Sequence, residues 1–314
     1  MAFALWLVVV TPSIAAGSER LICALVPHFK DEYWLSVGYG LEQEAARQGF
    51  ALELFEAGGY GGRAQQIAQL SQCVQGGADA IVIAAVTSDH PDLLEAIGQV
   101  ARQVPVYGVV NALRAEGLRG WVGVDWAEMG GTVGRYLARL HPAGSAPQTA
   151  VLISGPAGAG WTAQLEGGFR AGLAGSAVTI VAVFGADTGL RQQLALVETA
   201  LEQFPDVDYL IGSAPAVEAA IGVFATLPRA NAPRLLSTYI SHTVLRGLMN
   251  GGIEAAAFDD PVAQGRGVID MAARGFTQAT SGGREGPQIV LLTPQSEGLA
   301  AIQLSPAEYF PSME

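Results

Sequence analysis

The chain has 314 residues, half of them hydrophobic, with 40 glycines and a formal net charge of -12. That length suggests about two domains, each able to bury a core, and glycines scattered without a period exclude a collagen-like or disordered chain. So acidic a surface repels nucleic-acid phosphates and anionic lipid headgroups, which removes both as expected partners, and it disfavours a strongly anionic ligand unless arginines gather at one place.

Met1 to Ala16 carry no charge, and an apolar run from Ala2 to Val10 is followed by the small residues Ala15, Ala16 and Gly17. Residues 1–17 resemble a signal peptide without its positive start, and the run is too short to span a bilayer. A buried first strand is the alternative reading. An exported, periplasmic chain is expected. No later apolar stretch reaches membrane-spanning length without turn residues, so no membrane insertion is expected.

Leu21 to Val26 reads as a buried strand, and a helix follows with Trp34, Val37, Leu41 and Ala45 on one face. Next come a strand over Leu52 to Phe55, a helix carrying Ile67, Leu70 and Val74, and a strand over Ala80 to Val86. A helix from near Asp89 places Leu93, Leu94, Ile97 and Val100 together, and Val104 to Val110 is the next strand. Cys23 lies in the first strand and Cys73 on the apolar stripe of the second helix. They could pair in an oxidising compartment or remain two buried thiols.

A second series follows, with strands expected at Trp121 to Val124, Ala150 to Ser154, Val178 to Phe184, Tyr209 to Ile211, Leu235 to Thr238, Ala255 to Phe258 and Ile289 to Leu292. Helices fall near Ala127 to Leu140, Thr162 to Ala174, Arg191 to Phe204, Ala216 to Leu227, His242 to Met249 and Val262 to Phe276. Strands apolar throughout need helices on both faces, so both series read as doubly wound, parallel α/β sheets. Ligands of such sheets sit beyond the carboxyl ends of the strands.

Aromatic residues recur at those ends. Asp31, Tyr33 and Trp34 follow the first strand, and Tyr60 stands among glycines after the second. Asp125 and Trp126 follow the fifth, and Tyr239 follows the strand ending near Thr238. Any one of these rings could serve packing alone, and Asp31 could simply cap its helix. Together, rings with one carboxylate suit a methylated ammonium or N-oxide, because ring faces attract the positive nitrogen and methyl groups bury against carbon. A sugar would instead want a dense set of hydrogen-bonding groups, which Asn111, Asp125, Asp187, Asp259, Gln264, Arg114 and Arg191 could supply.

Catalytic and cofactor signals are lacking, so no enzyme and no cofactor is expected. There is no Gly-x-Ser-x-Gly elbow, and His28, His90, His141 and His242 show no metal spacing. Gly155 to Gly160 has neither the Rossmann order of glycines nor a following Lys-Ser/Thr pair. No helix-turn-helix precedes the first strand.

From residue 20 onward the order of elements resembles the type I periplasmic binding protein family, which includes ribose-binding proteins. That resemblance implies two lobes joined by three crossovers, near Val124, Asp259 and Gly286. The N-terminal lobe would comprise 18–124 and 259–286, and the C-terminal lobe 125–258 and 287–314. Pro27 to Val37 with Tyr39-Gly40, Glu56 to Tyr60, and Gln72-Cys73-Val74 are similar to a branch of the family that senses trimethylamine N-oxide and works with a membrane sensor histidine kinase. By that resemblance Asp31, Tyr33, Trp34, Tyr60, Trp126 and Tyr239 form a ligand box, with Trp161 in reserve. The partner would be the kinase's periplasmic domain. The alternative is a transport receptor delivering a sugar or amine to a permease.

Overall fold

The computed structural model describes residues 19–226, 232–278 and 283–313. The signal-like segment lies outside them, as does Leu227 at the end of one expected helix.

The first sheet contains β1 (Leu21–Val26), β2 (Ala51–Glu56), β3 (Ala80–Ile83), β4 (Val106–Val109), β5 (Gly120–Val122) and β11 (Gly283–Glu285), in the order β11-β5-β4-β3-β1-β2 and wholly parallel. Successive side chains of β1 serve opposite layers. Ile22, Ala24 and Val26 pack with Trp34, Val37 and Leu41 of α1 (Glu32–Gln48), beside α9 (Pro261–Thr277). Cys23 and Leu25 pack with Leu70 and Cys73 of α2 (Arg63–Gln75) and with Leu93 and Ile97 of α3 (Pro91–Val100). A strand covered on both faces is apolar throughout for this reason. In the α2 layer Cys23 and Cys73 are joined by a disulfide, which settles the choice that their burial alone left open.

The second sheet holds β6 (Gln148–Ser154), β7 (Val178–Gly185), β8 (Tyr209–Gly212), β9 (Arg234–Ser237), β10 (Ala255–Phe258) and β12 (Val290–Leu292), in the order β12-β10-β9-β8-β6-β7. It carries α4 (Trp126–Leu140), α5 (Thr162–Gly172), α6 (Leu190–Gln203), α7 (Ala214–Phe224) and α8 (His242–Met249). The chain passes between the sheets after Val122, after Phe258 and after Glu285.

Three features depart from the sequence reading. β12 runs antiparallel to β10, so the second sheet is not purely parallel. β11 was not expected, because Gly-Arg-Glu is exposed and offers no apolar signal; Arg284 instead stacks on Trp121, 4.3 Å from the ring centre. The tail, assigned with 287–314 to the second lobe, crosses back to the first. Ser305 N donates to Ser36 Oγ (3.2 Å), Tyr309 packs on Tyr39 with ring centres 5.2 Å apart, and Ser312 N donates to Glu42 Oε1 (3.3 Å). Their partners all lie on α1, whose outward side the tail covers.

The expected strand Ala80 to Val86 ends at Ile83 although burial continues to Val86. Beyond Ile83, Ala84 N still donates to Leu25 O of β1 (2.8 Å), and a side chain then takes over from the sheet. Gln66 donates to Ala84 O (3.0 Å) and accepts from Val86 N (3.0 Å), so the buried backbone is satisfied off the sheet.

Candidate functional site

The carboxyl ends of the two sheets face each other, and the loops after the strands meet between them. At two places the lobes approach so closely that only glycine fits. A Cβ on Gly59 would lie 2.3 Å from Asp187 Oδ2, and one on Gly160 would lie 2.3 Å from Ser88 Cβ. Gly59 also holds φ at 138°, a region that L side chains rarely adopt.

Six aromatic rings line a box at the centre of this junction: Tyr33, Trp34 and Tyr60 from the first lobe, Trp126, Trp161 and Tyr239 from the second. Asp31, Val110 and Asn111 complete it. Trp126 and Trp161 have ring centres 5.1 Å apart, Tyr33 and Tyr239 5.2 Å, Trp161 and Tyr239 6.2 Å, and Tyr60 and Trp161 6.2 Å. All six sequence-expected residues are therefore brought together. Trp161 is a full member rather than a reserve. Its signal was the same as that of Tyr60: an aromatic directly after a glycine in a strand-to-helix loop.

The space between the rings holds a compact body of roughly 80–90 Å³, near three times the ~30 Å³ share of one liquid water. A ligand of about five heavy atoms matches that size, and a sugar ring of about ten exceeds it.

Local structure fixes each side chain. Asp31 caps α1, its Oδ1 accepting from Tyr33 N at 2.9 Å, while Oδ2 accepts from the Tyr239 hydroxyl at 2.8 Å across the lobes. Its capping role and its site role thus coexist. Burial pushes its carboxyl up to about 7, against the pull of those two donors. Trp126 opens α4 and donates its indole N–H to Val110 O (3.1 Å). Val110 sits at φ 59°, a costly conformation for a β-branched residue and one that tends to mark functional sites. Trp161 Nε1 and Asn111 Oδ1 are buried without hydrogen-bond partners.

Groups that a sugar would need do not gather here. Asp125 caps α4 from an exposed position, and Arg114 lies 3.8 Å from Asp89 at the surface. Arg191 is exposed. Asp259 and Gln264 are buried behind Tyr33. Asp187 stands at the rim, 3.6 Å from His28 Nε2, and His28 also shares a 2.9 Å hydrogen bond with Thr188. Burial lowers His28 to about 4, with Asp187 opposing the shift and Lys30 reinforcing it. Asn111 lines the box, but its Nδ2 is used on Ala85 O (2.9 Å). Among the described residues no group of three metal-ligating side chains occurs, and no helix is long and apolar enough to cross a membrane.

Comparison with known proteins agrees with this architecture. A model described as "Periplasmic binding protein domain" matches residues 22–276. The periplasmic protein TorT of Escherichia coli (strain K12) is 39% identical over 303 residues, 96% of this chain and 86% of that protein. The crystal structure of the TorS sensor domain–TorT complex in the presence of TMAO contains a chain 37% identical, with TM-score 0.83, covering 94% of this chain and all of that one. An ABC transporter solute-binding protein from Bradyrhizobium sp. BTAi1, solved with bound bis-tris, is 34% identical with TM-score 0.78, covering 98% and 92% of the two chains. Two α/β lobes closed on a buried box, with a family match spanning both, place the chain among known folds: it belongs to the periplasmic binding protein family.

Proposed function

We propose that the protein is a periplasmic sensor that traps trimethylamine N-oxide, or a closely related methylated amine, between its lobes and presents the closed form to the periplasmic domain of a membrane sensor histidine kinase. It performs no catalysis in this role and uses no cofactor. The reading is carried by one observation: rings contributed equally by both lobes surround a space of about five heavy atoms, beside one carboxylate.

The chemistry of that ligand matches the lining. Its methyl groups bury against rings, each at about 0.8 kcal/mol. Its positive nitrogen meets ring faces at roughly 0.5–2 kcal/mol per contact. Its oxygen needs a donor, and the unused indole N–H of Trp161 is one. A ceiling of about -1.5 kcal/mol per heavy atom limits such a ligand to roughly -7.5 kcal/mol, which is micromolar affinity or weaker. Because both lobes supply walls, ligand contacts are complete only when the lobes are closed, so binding shifts the population toward closure. TorT crystallised with the TorS sensor domain supports a kinase as the partner here.

Calorimetry of the ligand-stripped protein against trimethylamine N-oxide, trimethylamine, glycine betaine and ribose tests the ligand. Micromolar N-oxide binding without a ribose response is expected. Tight ribose binding with no response to any amine would overturn the reading and favour a sugar receptor.

A further inference from the structure

Two carboxylates flank the box, and only Asp31 lines it. Asp259 lies behind Tyr33, fully buried, just after β10 where the chain returns from the second sheet to the first. Its Oδ2 accepts from the Tyr33 hydroxyl at 2.7 Å and from Gln264 Nε2 at 2.8 Å. Gln264 Nε2 also reaches Tyr33 Oη at 3.2 Å and Asp259 O at 2.8 Å. Asp259 Oδ1 has no hydrogen-bond partner. Among the described residues Asp259 forms no ion pair, and the adjoining Asp260 carboxylate adds like charge.

A buried carboxylate without a cation is costly, and a positive charge placed close by relieves that cost. Tyr33 stands between this carboxylate and the box. A phenol donating to an anion gains electron density in its ring, which strengthens the pull of the ring face on a cation. Tyr239 is tied to Asp31 in the same way, and its ring packs against that of Tyr33. Above about pH 7, where Asp31 is ionised, the box thus has two anion-polarised rings in contact.

We propose that Asp259 is a specificity-determining residue that makes the box select a positively charged, methylated nitrogen over a neutral molecule of the same shape, acting through Tyr33. The proposal rests on the reading of the box as a methylated-amine site. It differs from a purely structural brace, in which Asp259 and Gln264 only secure the start of α9. A brace would affect charged and neutral ligands alike.

The test is calorimetry with three molecules of one size: tetramethylammonium carries a net positive charge, trimethylamine N-oxide a positive nitrogen within a neutral molecule, and tert-butanol no charged centre. The proteins are the wild type, Asp259→Asn, Tyr33→Phe and the double variant. The wild type should bind tetramethylammonium at least about tenfold more tightly than tert-butanol. Asp259→Asn should weaken tetramethylammonium by about fivefold or more and tert-butanol by less than about twofold. Tyr33→Phe should lose the same discrimination, and in its background Asp259→Asn should have little further effect. If Asp259→Asn does not fold, Tyr33→Phe carries the test, because it leaves the carboxylate in place. Equal weakening of charged and neutral ligands, or an undiminished Asp259→Asn effect in the Tyr33→Phe background, overturns the proposal. So does a wild type that does not bind tetramethylammonium, whatever it does with the N-oxide. If tetramethylammonium binds with this pattern and trimethylamine N-oxide does not, the proposed ligand fails and charge selection stands.

Discussion

The hydroxyl of Tyr239, on the second lobe, donates to Asp31 Oδ2, on the first, over 2.8 Å in a site closed to solvent. This hydrogen bond exists only when the lobes are together, and it touches the ligand box directly. Tyr239→Phe keeps the ring and removes the bond. A hydrogen bond to a charged group contributes roughly 1.5–3 kcal/mol, so trimethylamine N-oxide binding should weaken by about tenfold or more. Calorimetry measures the loss, and small-angle scattering of the liganded variant should show a larger open fraction. Unchanged affinity would mean that closure does not draw on this contact.

Asp31 also makes folding depend on pH. Its carboxyl is raised by burial from 3.8 to about 7 in the folded protein. The folded state therefore holds the proton more tightly than the unfolded chain between those values. Stability from this group is fully present below 3.8 and is lost as pH rises to about 7. The difference corresponds to about 4 kcal/mol. Asp31→Asn removes that penalty. Its melting temperature should exceed that of the wild type most at pH 8, and the gap should shrink as pH falls through 7 toward 4. A gap that does not vary with pH would show that Asp31 is not the titrating group.

His28 titrates with the opposite sign. Burial lowers it from 6.5 to about 4, so the unfolded chain takes up the proton first. Its neutral ring is held at full stability above 6.5, and stability is lost as pH falls from 6.5 toward 4, by about 3 kcal/mol in all. His28→Gln keeps a donor for Thr188 and removes the titration. The variant should match the wild type above pH 7 and outlast it progressively below 6.5 in thermal melts. A variant that is less stable than the wild type at pH 5 would refute this.

Much of this site was legible in the sequence because its signals are local. Tyr60 among four glycines, and Asp31 just before Tyr33 and Trp34, stand out where packing gives no reason for them. The doubly wound class of both lobes followed from apolar runs that must be covered on two faces. What escaped was set by partners distant in sequence. β11 has no apolar residues and exists because β5 offers an open edge. The tail returns to α1 through Tyr309 and Ser312 and to Phe29, just before α1, through Phe310, and nothing in those residues names their partners. The role of Asp259 depends on Tyr33, 226 positions away, which no local pattern encodes.

Trp126 is the ring whose loss should be felt most directly, since it faces Trp161 and Tyr239 and its indole N–H holds Val110 O. Trp126→Ala removes a cation–π wall worth roughly 0.5–2 kcal/mol and the buried area that goes with it. Trimethylamine N-oxide affinity should fall at least several-fold, and Trp126→Phe, which keeps a ring and loses the N–H, should fall between the two. Wild-type affinity in the alanine variant would remove Trp126 from the site.

The disulfide allows stability and binding to be separated. Cys23 and Cys73 lie in the α2–α3 layer of the first lobe, away from the box, and close a loop with a sequence separation of 50. In the chain-entropy account a loop of that length contributes about 4 kcal/mol by restricting the unfolded chain. Replacing both cysteines by alanine should lower the urea midpoint of the first lobe substantially. Affinity at 10 °C, where the variant is still folded, should change by less than about twofold, because the native contacts around the box are untouched. If affinity fell in step with stability, the cross-link would have to act on the folded loops after β1 and β2, and its role would be to position Asp31 and Tyr60 rather than to restrain the unfolded chain.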